Sequence, residues 1–106
     1  MLTKFTVAYV VAGLFATGTV LAADMPELAK KSGCVACHTI EKKLVGPAWL
    51  DVANKYKGDA EAPAKLSAKI VSGGKGVWGA VPMPPQAKVS QADVAELVTF
   101  ILGLAK

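Results

Sequence analysis

The sequence contains no arginine and only one histidine, His38, in 106 residues. Its positive charge therefore comes from twelve lysines, which exceed the eight acidic residues and give a formal net charge of +4. Aromatic residues make up only 7% of the chain. A nucleic-acid surface combines a concentrated basic face with stacking aromatics, so this composition argues against nucleic acid as a partner. Lysines spread along the chain suit weak docking to an acidic protein, where complementary charge raises the encounter rate more than the affinity.

Cysteine is also scarce, because the chain has only Cys34 and Cys37. A disulfide between them would close a very short loop and stabilise the fold little, since the chain-entropy contribution grows with loop length. The βαβ pattern that surrounds a thioredoxin-like cysteine pair is missing. A thiol oxidoreductase, and a copper protein that uses Cys, His and Met side chains, stay open as alternatives at this point.

The chain lacks an apolar run long enough to span a membrane comfortably, which takes roughly 20 residues. The uncharged stretch Phe5 to Val20 is shorter and is interrupted by Gly13 and Gly18. It follows one lysine and ends in small residues at Ala22, the order found in a secretory signal peptide. We therefore expect residues 1–22 to be a cleaved signal peptide, with the cut after Ala22 or one residue later.

Cleavage would leave one small domain, residues 23–106, exported to the periplasm without a stable membrane anchor. A domain of this size is near the limit where a single core suffices, and cofactors often contribute to its stability. We expect it to be a monomer.

The most informative stretch present is Cys34-Val35-Ala36-Cys37-His38, whose spacing is that of covalent c-type haem attachment. Helical backbone from Cys34 onwards would bring both sulfurs to one side of a porphyrin, with His38 directed at the iron. Met83, flanked by prolines that stiffen its segment, is the candidate for the second axial position. A His/Met pair raises the reduction potential of a haem iron.

Two further residues have expected roles beside the haem. A ligating imidazole nearly always donates its other ring N–H to a carbonyl or carboxylate, and Pro47 is near enough in sequence to be the acceptor. The ring N–H of Trp78 needs a partner if it is buried, and a haem propionate is a suitable one.

Apolar spacing and helix breakers predict four helices separated by loops. Gly33 either ends the first helix or permits a close backbone approach, and the sequence does not decide between these roles. Ser90 and Asp93 resemble a capping box at the start of the last helix, which we expect to be the longest and to pack against the first. The residues from Lys75 to Val89 are expected to form an extended loop. The predicted helices cover residues 24–32, 48–57, 63–71 and 90–104.

Four motifs together resemble those of small bacterial class I cytochromes c, of the cytochrome c-551 type, over essentially the whole mature chain. The motifs are Gly33 to His38, Val45 to Ala48, Gly76 to Gly79 and Pro82 to Pro85. The resemblance implies an all-α fold of about four helices, with crossed terminal helices, wrapped around one covalently bound haem c. It also implies a periplasmic one-electron carrier that is not an enzyme.

The resemblance assigns a role to each matching residue. It implies thioether bonds at Cys34 and Cys37, His38 as the proximal ligand and Met83 as the distal ligand. Pro47 would accept the hydrogen bond from His38. The same likeness implies that Trp78 contacts a propionate. The implied partners are respiratory redox proteins such as a terminal oxidase, a nitrite reductase, a peroxidase or a cytochrome bc-type complex.

Three positions depart from the family pattern. Gln86 stands where the family often has asparagine near the methionine sulfur, Lys69 stands where an arginine often meets a propionate, and Lys88 resembles a one-residue insertion. The alternative function is a haem enzyme or gas-binding sensor with a labile distal methionine. The absence of arginine and of a second histidine argues against such distal chemistry.

Overall fold

The computed structural model describes residues 6, 8–13 and 23–106. Most of the expected signal peptide, including its cleavage junction at Ala22, lies outside the described residues. In the part of the chain that is described, no helix has both the length and the apolar character needed to cross a membrane.

In residues 23–106, four α-helices and one 3₁₀ turn dominate the fold, which confirms the all-α prediction. Each helix falls close to a predicted span, but most are shorter. The first begins at Glu27 rather than at Asp24, because Pro26 is extended (φ −66°, ψ 153°) and precedes the first helical turn. The elements are α1 (Glu27–Lys31), the 3₁₀ turn (Cys34–Ala36), α2 (Trp49–Lys55), α3 (Ala62–Ser72) and α4 (Gln91–Leu102).

The last helix, α4, is the longest of these and forms the centre of the core. The Ser90 side chain accepts a hydrogen bond from the Asp93 N–H at 3.2 Å, which confirms the predicted cap. The buried face of α4 contacts α1, α2 and α3. Its buried residues are Val94, Leu97, Val98 and Ile101, and they pack with Ala29, Trp49, Val52 and Leu66.

The segment expected to be a loop instead contains a small hairpin. Strand β1 (Gly74–Gly76) pairs antiparallel with β2 (Gly79–Met83), and Gly74 lies opposite Met83. The prediction failed because the strands are short, largely exposed and rich in glycine and proline, so they carry no alternating pattern. Gly76 and Gly79 have φ of 102° and 113°, values that residues with a Cβ rarely adopt.

Gly33 separates α1 from the 3₁₀ turn. Its φ of +80° is left-handed, and a Cβ built there would have no neighbour within 4 Å. Gly33 therefore terminates the helix in the usual left-handed conformation, and the alternative of a close backbone approach is wrong for this residue.

Candidate functional site

A mainly apolar cavity of about 420 Å³ lies between the helical core and the hairpin. Ligand sites are typically about 300–1,000 Å³ and combine apolar walls with a few polar groups, so this cavity is of the size expected for a cofactor. Its walls come from the loop that follows the 3₁₀ turn, from α2, α3 and the hairpin, and from Ile101 of α4. The residues that line it include Cys37, His38, Gly46, Pro47, Trp49, Lys69, Trp78 and Met83.

His38 is held in place by the local fold of the chain. Its backbone N–H donates to the Cys34 carbonyl at 2.9 Å, an α-type bond between residues four apart that ties His38 to the start of the 3₁₀ turn. Its side-chain Nδ1 lies 2.8 Å from the Pro47 carbonyl oxygen. Because that carbonyl can only accept, Nδ1 carries the proton and Nε2 keeps its lone pair for a metal.

Gly46 gives the His38 ring the space it occupies. A Cβ on Gly46 would lie 2.5 Å from His38 Cε1 and 3.0 Å from Nδ1. On another side, the Trp49 ring is 5.8 Å from the imidazole, centre to centre. Packing and the bond to Pro47 thus fix the ring orientation. In the sequence, Gly46 was noted only as part of a motif, and its contact with His38 was not predicted. A glycine next to Pro47, the expected hydrogen-bond partner of His38, could have indicated it.

The two cysteines are unpaired and half-buried. Cys37 lines the large cavity, whereas Cys34 lines an adjoining cavity of about 60 Å³ that also touches His38 and Met83. Burial raises the pKa of the Cys34 thiol above its ordinary value. Redox-active cysteines generally need a lowered pKa, so this environment disfavours a thiol oxidoreductase.

Met83 is the last residue of β2 and lines both cavities. The chain beyond it returns to α3, where the Gln86 N–H donates to the Ile70 carbonyl at 2.9 Å. The Gln86 side-chain amide donates to the Pro84 carbonyl at 3.0 Å. His38 and Met83, separated by 45 residues in sequence, therefore border the same space.

Trp78 lies in the turn that connects the two strands, lines the cavity and is 41% exposed. Lys55, at the end of α2, holds its Nζ 5.7 Å from the centre of a Trp78 ring, a distance suited to a cation–π contact. The sequence did not predict this contact, because it joins two elements, α2 and the hairpin, that are separate in the chain. Lys69 also lines the cavity, with its Nζ over Gly74.

The donor atoms fit a haem that is attached through cysteines. An imidazole nitrogen, a thioether sulfur and two thiols border the two adjoining cavities, and Gly46 and Trp49 orient the imidazole. Imidazole and thioether are established axial ligands of haem iron. The residues that would hold the group are His38, Met83, Cys34 and Cys37.

Comparison with known proteins identifies the family. The family model for cytochrome c matches residues 22–105. The chain is 60% identical over 77 residues to cytochrome c-551 of Allochromatium vinosum, a match that covers 73% of this chain and 82% of that protein. It is 50% identical over 100 residues to cytochrome c-551 of Pseudomonas aeruginosa, covering 90% and 95% of the two chains.

A solved structure supports the same relationship. The crystal structure of wild-type Nitrosomonas europaea cytochrome c552 superposes with a TM-score of 0.72 at 50% identity, covering 74% of this chain and 96% of that one. The chain therefore belongs to the cytochrome c family, as a small class I member that binds one haem c covalently and carries electrons rather than acting as an enzyme.

Proposed function

We propose that the protein is a periplasmic one-electron carrier whose haem iron has His38 and Met83 as axial ligands, and whose haem is bound by thioethers at Cys34 and Cys37. The observation that carries this proposal is that all four side chains border two adjoining cavities, although Met83 is distant in sequence. With His38 and Met83 both bound to the iron, a substrate would have no open site there.

When bound, the haem supplies an iron that gains and loses a single electron. The protein's contribution is to keep the surroundings of that iron unchanged as the charge changes. Pro47 holds the imidazole of His38 in one tautomer. Prolines on both sides of Met83 restrict the backbone that carries the sulfur. Apolar walls formed by Trp49 and Val52 keep water away from the buried side of the group.

Trp78 is proposed to donate its ring N–H to a haem propionate. It borders the cavity at the exposed hairpin, where a carboxylate on the rim of the group would meet solvent. Lys55 holds its Nζ 5.7 Å from the centre of the Trp78 ring. The lysine Nζ also places a positive charge near that rim, which favours an ionised carboxylate there.

Residues 1–22 are proposed to be the cleaved signal peptide, and residues 23–106 the mature domain. The partners are redox proteins, which we propose to be respiratory ones such as a terminal oxidase, a nitrite reductase, a peroxidase or a cytochrome bc-type complex. Lys43 and Lys75 border the cavity and would attract an acidic docking surface. Electron exchange with such a partner should then slow as ionic strength rises.

Substitution of the distal ligand tests the proposal. Met83→Ala should keep its haem through denaturing electrophoresis, detected by haem staining, because the thioethers do not involve Met83. The ferric variant should lose the methionine-to-iron charge-transfer band and bind imidazole far more tightly than the wild type. A band that survives the substitution would exclude Met83 as the ligand. Ready imidazole binding by the wild type near neutral pH would instead favour the sensor or haem-enzyme alternative.

A further inference from the structure

The end of α3 and the segment that carries Met83 are in direct backbone contact. We call residues 70–73 the α3 terminus and residues 83–86 the distal segment. One hydrogen bond joins them, from the Gln86 N–H to the Ile70 carbonyl. The second contact is steric and centres on Gly73.

Gly73 leaves no room for a side chain. A Cβ built there would overlap the Met83 carbonyl oxygen and would lie 2.9 Å from Pro85 N and 3.0 Å from Pro84 C. All three neighbours are backbone atoms. No side-chain rotation can relieve the overlap, so either the α3 terminus or the distal segment would have to move.

The distal segment has little freedom to absorb such a change internally. Pro84 and Pro85 have their φ angles fixed by their rings. Gly74 holds Met83 from the other direction through the β1–β2 pairing. A displacement at Gly73 would therefore be passed on to Met83. A shift of roughly 1 Å far exceeds the tolerance of about 0.2 Å within which metal–ligand distances normally fall.

We propose that Gly73 is a positioning residue for the distal methionine, and that its missing side chain lets the distal segment lie close enough to α3 for the Met83 sulfur to reach the iron. This inference rests on the proposed function, because it assumes that Met83 is the distal ligand. Gly73 itself lines neither cavity, so it acts on the iron only through Met83.

A purely conformational role for Gly73 is the competing explanation. Its φ of 69° and ψ of −164° belong to a region that is essentially restricted to glycine, so Gly73→Ala would be strained even in open space. Gly58 serves as a control for positive-φ strain away from the distal segment. It also has a positive φ, +81°, but a Cβ there would meet nothing within 4 Å.

Imidazole binding to the ferric holoprotein measures how often the sulfur leaves the iron, because the apparent affinity is the intrinsic affinity multiplied by the open fraction. We expect Gly73→Ala to raise imidazole affinity about tenfold, which corresponds to about 1.4 kcal/mol. Gly58→Ala should stay within about twofold of the wild type. Equal affinities for the two variants would overturn the proposal.

The double variant Gly73→Ala/Met83→Ala shows whether Gly73 acts through the sulfur. With no sulfur to displace, its imidazole affinity should equal that of Met83→Ala within about twofold. A further tenfold increase would mean that Gly73 shapes the cavity independently of Met83, against the proposal. If Met83→Ala itself binds imidazole no more tightly than the wild type, Met83 is not the distal ligand and the proposed function fails. This outcome is distinct from a failure of the Gly73 proposal alone, in which Met83→Ala still binds imidazole more tightly.

A measurement on the wild type applies even if Gly73→Ala does not accumulate as holoprotein. Coupling between two sites is reciprocal, so displacing the sulfur with imidazole should loosen the distal segment. Hydrogen exchange of the Gln86 amide should accelerate about tenfold on saturation with imidazole. The Val94 amide, bonded to Ser90 in α4, should not change and serves as the internal control. An unchanged Gln86 amide would contradict the proposed coupling.

Discussion

The two sides of the cavity differ in how the chain builds them. On the His38 side, the contacts join residues close in sequence: the ring bonds to Pro47, nine positions on, and packs on Gly46. On the Met83 side, the contacts come from the neighbouring strand and from α3. A locally closed loop can hold its ligand even when distant parts of the fold loosen. The methionine side depends on long-range packing and should be the first to open.

The largest effect in this comparison is expected for Gly46→Ala. The new Cβ would overlap the imidazole of His38, so the ring must move and weaken its bond to Pro47. Overpacking of this kind costs about 1–3 kcal/mol, and chemical unfolding of the ferric holoprotein should show a loss of that order.

Gly103→Ala is the matched control for Gly46→Ala. Gly103 also lacks a positive φ, but its Cβ would meet only backbone carbonyls of its own helix at 3.3 Å or more. Its unfolding free energy should stay within about 1 kcal/mol of the wild type. If Gly46→Ala were as stable as this control, the ring would not be held by close packing.

A smaller effect is expected for Lys55→Gln, which tests a long-range contact of the hairpin. Removing the charge above Trp78 should lower the free energy of unfolding by about 0.5–1 kcal/mol and change the near-ultraviolet circular dichroism of the indole. Lys57→Gln removes an exposed lysine two residues away and should change neither. Identical results for the two variants would show that the cation–π contact does not stabilise the fold.

The smallest effect is expected at the start of α3, whose far end supports the methionine side. The Asp59 carboxylate accepts hydrogen bonds from Lys65 at 2.8 Å and from the Glu61 N–H at 2.9 Å. The bond from Lys65, followed by the one from Glu61, holds the pKa of Asp59 below its ordinary value. The ionised form is therefore favoured in the folded state, and the stabilisation is present above the unfolded pKa of about 3.9.

The stability difference between wild type and Asp59→Asn should consequently be constant from about pH 5 to pH 7 and shrink as the pH falls below about 4. It should also be small and decrease with salt, because the pair is partly exposed. Glu96→Gln removes an exposed carboxylate on α4 and provides the comparison. A difference that stays flat down to pH 3 would show that the Asp59 pairs do not contribute.

The sequence predicted well the features that depend on neighbouring residues. The Ser90 cap, the helical backbone at Cys34 and the nearness of Pro47 to His38 all follow from short spacings. The hairpin, the Lys55–Trp78 contact and the fit of Gly73 against Met83 were missed. Each of these joins elements that are separate in the chain, and glycine-rich strands give no periodic signal from which the pairing could be read.

Iron X-ray absorption of the purified holoprotein tests the central claim most directly, namely that His38 and Met83 together close the iron site. We expect one sulfur ligand in both the ferric and the ferrous states of the wild type, with the remaining ligands nitrogen, and loss of that sulfur in Met83→Ala. A ferric iron with an oxygen ligand in place of sulfur, or a sulfur that persists in Met83→Ala, would contradict it.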